Sequence, residues 1–455
     1  MMPRRTVVDP QFPSRLRQLR RSRGLSQQGL ARVAYVSKSH ISELENGIKA
    51  PGIATAKALD TALDAAGTLA GLVGDMPGPG LNGGEASLAS RGLRYHASES
   101  DTVDTILEIG RADVNRRTII SAPFVLAALA APSRDWLLAS LDSVTGERGP
   151  RQIGMTQVDG IRDMFALFQE MDVMRGGGHA RVALVEYMNS YVLPLARREH
   201  GSEQVQLALY EAASEQAYLV GWMAYDDGLH GLAERYLIQS LRLAQASGNR
   251  TLGAHVLAGM SDQANLLGNP GEALMLARAG ERGITTADSP ACMTDLQILE
   301  ARALAVLGEA SAAARAVATA ERTFQQVDKE NEPEWARFID PAYVFGEAAH
   351  CFRDLADTTQ IDRFATESAE EAERQRRARR GALSHAALAI SHLTNGHPEA
   401  AADKARHVVD LAAQVNSSRC METVRDLGRR LQPYAHLAEV QAFNNRARQR
   451  LGLAA

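Results

Sequence analysis

The stretch Ser26-Gln-Gln-Gly-Leu-Ala-Arg-Val-Ala-Tyr-Val-Ser-Lys-Ser-His-Ile-Ser-Glu-Leu-Glu-Asn-Gly-Ile-Lys-Ala-Pro51 decides how the N-terminal part of this chain folds. Ser26 can cap a helix by accepting from an orphan backbone N–H, and Leu30, Ala31 and Ala34 give that helix an apolar face. A turn through Tyr35 and Val36 leads to Ser37, a second cap. Ile41 and Leu44 then mark the inward face of a second helix, and Gly47 stops it where positive φ costs little. Two short helices with a tight turn form a helix-turn-helix, which sets its second helix in the DNA major groove. Lys38, Ser39, His40 and Glu43 point away from the core near the end that meets base edges, and are the candidate base-reading residues. Lys38 can donate to guanine and Glu43 can accept from cytosine. Asn46 and Lys49 follow the helix and are candidates for phosphate contacts, which set register rather than sequence.

From about Ser14 to Leu72 the chain resembles the lambda-repressor-like (XRE) DNA-binding domains. Leu16, Leu19, Leu25, Leu30, Ala31, Val36, Ile41, Leu44, Gly47 and Leu59 occupy that family's core or turn positions. The resemblance implies an internal ion pair between Arg20 and Glu45, and a phosphate contact from Gln27 at the start of the motif's first helix. Tyr35 stands at a turn position often held by glycine, a departure that weakens the turn if φ is positive there.

Charge is distributed to match. Residues 1–74 carry eleven Lys or Arg against five Asp or Glu, while the whole chain has a formal net charge of −4. A basic head on an acidic body suits a head that meets phosphates and a body that does not. Cys292, Cys351 and Cys420 show neither disulfide nor zinc spacing, so a reducing cytoplasm is expected. Asn115-Arg-Arg-Thr followed by an apolar run imitates an export signal. It lies too deep in the chain to act as one and is too short to span a bilayer, so a buried helix is expected there.

Residues 75–92 have linker composition, with five Gly and two Pro. The expected organisation is therefore a DNA-binding head over 1–74, a linker over 75–92, a helical connecting region over 93–200, and a helical repeat over 201–455. Apolar spacings of three and four residues dominate the body, and the fold class expected is all-α.

The repeat shows at Gly228, Gly268, Gly308 and Gly396. Seven residues before each stands a small residue (Gly221, Ser261, Ala301, Ala389), and five after each stands alanine (Ala233, Ala273, Ala313, Ala401). The larger last gap leaves room for a degenerate copy over 341–373, with its turn near Ala356. This pattern resembles the tetratricopeptide (TPR) repeat, whose antiparallel helix pairs need small residues to approach closely; the 40-residue period departs from the usual 34. Such pairs stack into a solenoid whose concave wall is formed by each first helix. Glu215, Tyr218, Trp222, Tyr225, His255, Asp262, Asn265, Asp295 and Arg302 fall on that wall, with Tyr343, His350 and Arg353 added by the degenerate copy. The polar residues among them are costly to bury, which points to an open wall. Tyr218, Trp222, Tyr225, Asp262, Asn265 and Arg302 are the candidate ligand contacts.

No catalytic constellation, metal set or cofactor motif emerges. Arg175-Gly-Gly-Gly-His179 lacks the strand and lysine of a phosphate loop and reads as a turn. The combined resemblance implies a DNA-binding transcriptional regulator, more often a repressor, dimeric, cytoplasmic, and responsive to a peptide or small ligand. A repeat scaffold tethered to DNA and a ligand-independent dimeric regulator are the alternatives.

Overall fold

A computed structural model describes residues 6–8, 12–34, 36, 38–46, 51, 53–63, 65, 68–69, 73–75, 92–95, 98–114, 124–125, 128–129, 155–198 and 202–453. The chain divides into two compact units, Met1–Ser90 with Pro123–Ala130, and Arg91–Ala122 with Ala131–Ala455. The expected linker falls almost wholly outside the described residues, as does most of the apolar run after Arg117. Among the described residues no helix is long and apolar enough to cross a membrane.

Among the described residues the first unit holds four α-helices: α1 (Phe12–Ser22), α2 (Gln27–Val33), α3 (Lys38–Glu45) and α4 (Ile53–Leu63). Ser26 caps α2 through its side chain, which accepts from Gly29 N at 3.0 Å. Ser37 and Gly47, expected to start and stop α3, lie outside the described residues. Phe12, Leu16, Leu30, Ile41, Leu44, Leu59 and Leu63 form one core, with Leu19, Leu25 and Val36 packed at its margin. Buried Asp60 closes the end of α4 by accepting from Leu69 N at 2.8 Å. A short antiparallel ribbon pairs Thr6–Val8 with Val73–Asp75, a feature the sequence did not announce.

The second unit is a helical repeat, and the all-α expectation holds. Five antiparallel pairs follow one another: α9 (Glu203–Asp226) with α10 (His230–Ser247), α11 (Arg250–Leu266) with α12 (Pro270–Gly283), α13 (Pro290–Val306) with α14 (Ala310–Phe324), α15 (Pro341–Asp354) with α16 (Thr358–Arg374), and α17 (Ala378–Thr394) with α18 (Pro398–Ala412). Helices α19 (Ser418–Leu431) and α20 (Ala438–Leu451) complete the stack. Before the pairs come α5 (Glu99–Val114), α6 (Met155–Arg175), and α7 (Arg181–Tyr187), which passes through a π-turn at Met188–Val192 into α8 (Leu193–Ala196).

The repeat grammar has a direct geometric cause. Gly228, Gly268, Gly308 and Gly396 all have φ between +75° and +82° and follow the first helix of a pair. The next residue donates back to a carbonyl five positions earlier, as Leu229 N does to Ala224 O at 2.8 Å and Asn269 N to Ala264 O at 2.9 Å. This is the Schellman closure, which needs a left-handed residue. The degenerate copy makes the same closure with Ala356 at φ +58° and Asp357 N donating to Phe352 O at 3.0 Å. Its small residue is Ala349, and Ile361 replaces the following alanine; both are buried.

First helices of successive pairs touch one another, so they form an inner layer. Two features close that layer. Helix α6 packs against α9 and α17, across the inner wall. The end of α9 also meets the start of α19: Ser417 Oγ donates to Asp226 Oδ1 at 2.9 Å, and Asn416 N donates to Arg175 O at 2.8 Å. The triple-glycine turn allows this approach. A Cβ on Gly176 would stand 2.5 Å from Asn416 O, and one on Gly177 would stand 2.6 Å from Met223 O.

Candidate nucleic-acid interface and interior cleft

In the first unit, α3 presents its outer face while its inner face is clamped. Glu45 at its end is 2% exposed. Arg20 Nε donates to Glu45 Oε1 at 2.5 Å, and Arg20 NH2 to Oε2 at 3.0 Å, a fork matched to a carboxylate. A third Arg20 nitrogen holds Leu25 O at 2.8 Å. The implied ion pair is therefore present. Burial pushes the Glu45 carboxyl upward, but hydrogen bonds from Arg20 and Gln27 and the charges of Arg20 and Arg17 outweigh it, leaving its pKa below the ordinary value.

Lys38 is exposed, and His40 and Glu43 are half-exposed, with His40 Nδ1 3.9 Å from Glu43 Oε2. Ser39 lies on α3, and its side chain is outside the description. Gln27 donates to Glu45 Oε2 at 2.9 Å, so it braces α3 from α2. Exposed Asn46 accepts from Arg17 at 2.9 Å, and Arg17 also holds Glu45 O at 2.7 Å. Lys49 lies outside the described residues. Arg17 is a bracing residue that sequence reasoning passed over; its place one turn before Arg20 on α1 was the available signal.

The second unit corrects the expectation of an open wall. Tyr218, Tyr225, His255, Asp262, Asn265, Asp295, Arg302, Tyr343 and His350 are all buried, and Trp222 is partly so. Countercharges from other pairs make that burial tolerable. Arg302 NH1 donates to Asp262 Oδ1 at 2.8 Å and to Glu347 Oε2 at 2.7 Å. Arg380 donates to Glu347 Oε1 at 2.9 Å, and Tyr225 Oη donates to Asp262 Oδ2 at 3.0 Å. Tyr343 Oη donates to Asp295 Oδ1 at 2.7 Å. Arg379 lies 2.8 Å from Asp172 on α6 and 2.9 Å from Asp226 on α9. Burial works against the Glu347 charge, but Arg302 and Arg380 overcome it and hold the carboxyl well below the usual range. Asp295 is pushed up to about 7 by burial, partly offset by Tyr343.

His255 is fully buried, 4.1 Å from the Tyr218 ring and 4.7 Å from Trp335, and neither ring nitrogen has a hydrogen-bond partner. Burial lowers its pKa to about 3, so it is a neutral ring at ordinary pH. Asn265 is buried with its Oδ1 unpartnered. The three cysteines are buried, and burial pushes Cys351 up to about 12 and Cys420 to about 11, which keeps both protonated.

Between α6, α9, α15, α17 and α19 lies a narrow cleft with about 50 Å³ of open space, lined by Tyr218, Trp222, Phe338, Tyr343, Arg380 and Arg419 among others. Two expected ligand contacts, Tyr218 and Trp222, thus reach a cavity; Tyr225, Asp262 and Arg302 form the network behind it. Sequence reasoning missed the arginines of α17 and α19. Arg-Arg at 379–380 was visible as a pair, but nothing local says that it faces inward.

Residues 11–71 match the family model described as a helix-turn-helix domain, and the head is such a domain. The body is a helical repeat by its helix pairs and turn pattern. No curated protein matches the chain.

Proposed function

We propose that this protein is a non-enzymatic, cytoplasmic, sequence-specific transcriptional regulator, a repressor acting as a homodimer on double-stranded DNA. Its TPR-like body senses a small ligand. The observation that carries the reading is the outward presentation of Lys38, His40 and Glu43 on a helix clamped from behind by Arg20 and Glu45. A preorganised helix N-terminus spends little conformational freedom on docking. One eight-residue recognition helix reads a single half-site, so a dimer on a two-fold site supplies the affinity that one head lacks. The cleft beside Tyr218 and Trp222 supports a compact ligand over an extended peptide, because Tyr225, Asp262 and Arg302 are already engaged with one another.

Selection from random DNA with the full chain tests this. A two-fold motif should emerge. Lys38→Ala should cost about 1–3 kcal/mol on it and relax one base position, whereas Lys49→Ala should weaken all sequences alike. Recovery of no enriched motif overturns the reading.

A further inference from the structure

Arg419, at the start of α19, differs from the other arginines around the cleft. Arg302, Arg377, Arg379 and Arg380 each hold a carboxylate at 2.9 Å or less. The nearest carboxylate oxygen to Arg419 is Asp262 Oδ2 at 4.0 Å, beyond hydrogen-bonding reach. Both Asp262 oxygens are already committed, one to Arg302 and the other to Tyr225. Among the described residues the Arg419 guanidinium makes ring contacts and no hydrogen bond: it stands 4.8 Å over Tyr225 and 6.0 Å from the Trp222 centroid. Its side chain is only 15% exposed, and that exposure opens on the cleft. An arginine cannot shed its charge, and the Arg419 guanidinium, which donates to none of the described residues, keeps its N–H groups free to meet an anionic acceptor.

The rest of the cleft says what that anion should carry. Tyr218 and Trp222 lie nearly parallel, 14° apart with centroids 6.4 Å apart, and both line the cleft; Phe338 and Tyr343 meet edge to face at 5.2 Å on the same cleft. Arg380 stacks 4.8 Å over the Tyr343 ring. Narrow space between planar groups admits a flat body and excludes a bulky one. Aromatic walls alone would suit a cation equally, but the guanidinia of Arg380 and Arg419 repel it.

The geometry points to a binding site for a small planar monocarboxylate, its carboxylate paired with Arg419 and its ring laid along Tyr218 and Trp222. This deepens the ligand-sensing part of the proposed function and rests on it only for the consequence to DNA. Pairing Arg419 ties α19 to whatever lies across the cleft, including α9 and α6. A carboxylate there joins the first helix pair to α19, beyond the fifth pair.

The test uses the full chain with 1-naphthoate as probe, its neutral isostere 1-naphthamide, and inorganic phosphate, followed by calorimetry and by tryptophan fluorescence. Naphthoate should bind at one per chain, at least tenfold tighter than the amide and tighter than phosphate. Arg419→Gln should abolish that preference. Equal binding of acid and amide, tighter binding of phosphate, or no binding of naphthoate overturns the site. The acid–amide comparison in the unaltered protein decides the matter even if Arg419→Gln fails to fold. DNA affinity measured alongside separates the two readings. Naphthoate binding with unchanged DNA affinity supports the site and removes the sensing role; loss of the site with sequence-specific DNA binding intact leaves the head's function standing.

Discussion

The two units bury charge in opposite ways. The head buries the Glu45 carboxylate at the end of α3 and surrounds it with Arg20, Arg17 and Gln27, all from the two helices preceding α3. The body buries at least four, Asp172, Asp226, Asp262 and Glu347, whose guanidinium partners come from helices up to about two hundred residues away. In the head the buried charge positions a surface, because it holds α3 so that Lys38 faces out. In the body it replaces a surface, filling the space that an open solenoid would leave to solvent. A local pair can be exchanged for packing at modest cost, whereas a shared network fails together.

The largest effect should therefore come from the hub of the network. Glu347 serves both Arg302 and Arg380, so Glu347→Leu strands Arg380 and leaves Arg302 with Asp262 alone. We expect a loss of about 3–5 kcal/mol, the range for breaking a buried pair. Urea unfolding of the full chain, followed on the body's helical signal, checks it. A loss below about 1 kcal/mol would mean that the interior rearranges freely and that the contrast with the head is false.

In the head, Glu45→Ala should cost about 2–3 kcal/mol, less than a fully buried pair because Arg20 lies at the core's margin and can regain water. Glu43→Ala, two residues away and partly exposed, should fall within about 0.5 kcal/mol. Hydrogen exchange of the α1–α3 amides in the intact protein separates them. Matching protection in both variants would reduce the Arg20–Glu45 fork to decoration.

His255 sharpens the comparison through pH. Its folded pKa of about 3 lies below the ordinary 6.5, so as pH falls the unfolded chain takes up the proton first. Its neutral burial is therefore without cost above pH 6.5 and increasingly costly as pH drops toward 3. At pH 5 the cost is about 2 kcal/mol. His255→Leu should unfold like the native chain at pH 8 relative to its own baseline and lose about 2 kcal/mol less between pH 8 and pH 5. Parallel pH profiles would mean that the ring reaches water or an acceptor.

What could be read from the sequence follows the same divide. In the head, Leu30, Ile41 and Leu44 recur at helical spacing and meet within one short segment, so core and Ser26 cap were legible from the residues, while the ion pair was implied by the family resemblance. In the body, the turn glycines and their small partners fixed the pairs and even placed the turn of the degenerate copy. The inward register was also right for Tyr225, Asp262 and Arg302; what it led to was not. Whether an inward polar residue meets solvent depends on what closes the wall, and that is decided by Arg379, Arg380 and Arg419 and by α6. Their meeting is a long-range consequence of superhelical curvature, which no local periodicity reports.

The smallest effect tests the repeat itself. Four of the five intra-pair turns place glycine in the left-handed region, and the fifth places Ala356 there at φ +58°. A Cβ in that region costs about 1–2 kcal/mol, while glycine's greater freedom in the unfolded chain returns part of it. Ala356→Gly should thus raise stability by about 0.5–1 kcal/mol, and Gly268→Ala, with open space around its Cβ position, should lower it by a similar or slightly larger amount. The two changes touch no neighbour differently, so opposite shifts in urea midpoint with unchanged slope would isolate backbone strain as the cause. A destabilised Ala356→Gly would show that the Ala356 methyl packs against its surroundings, and that the degenerate pair holds its turn by contacts rather than by the closure shared with the other four.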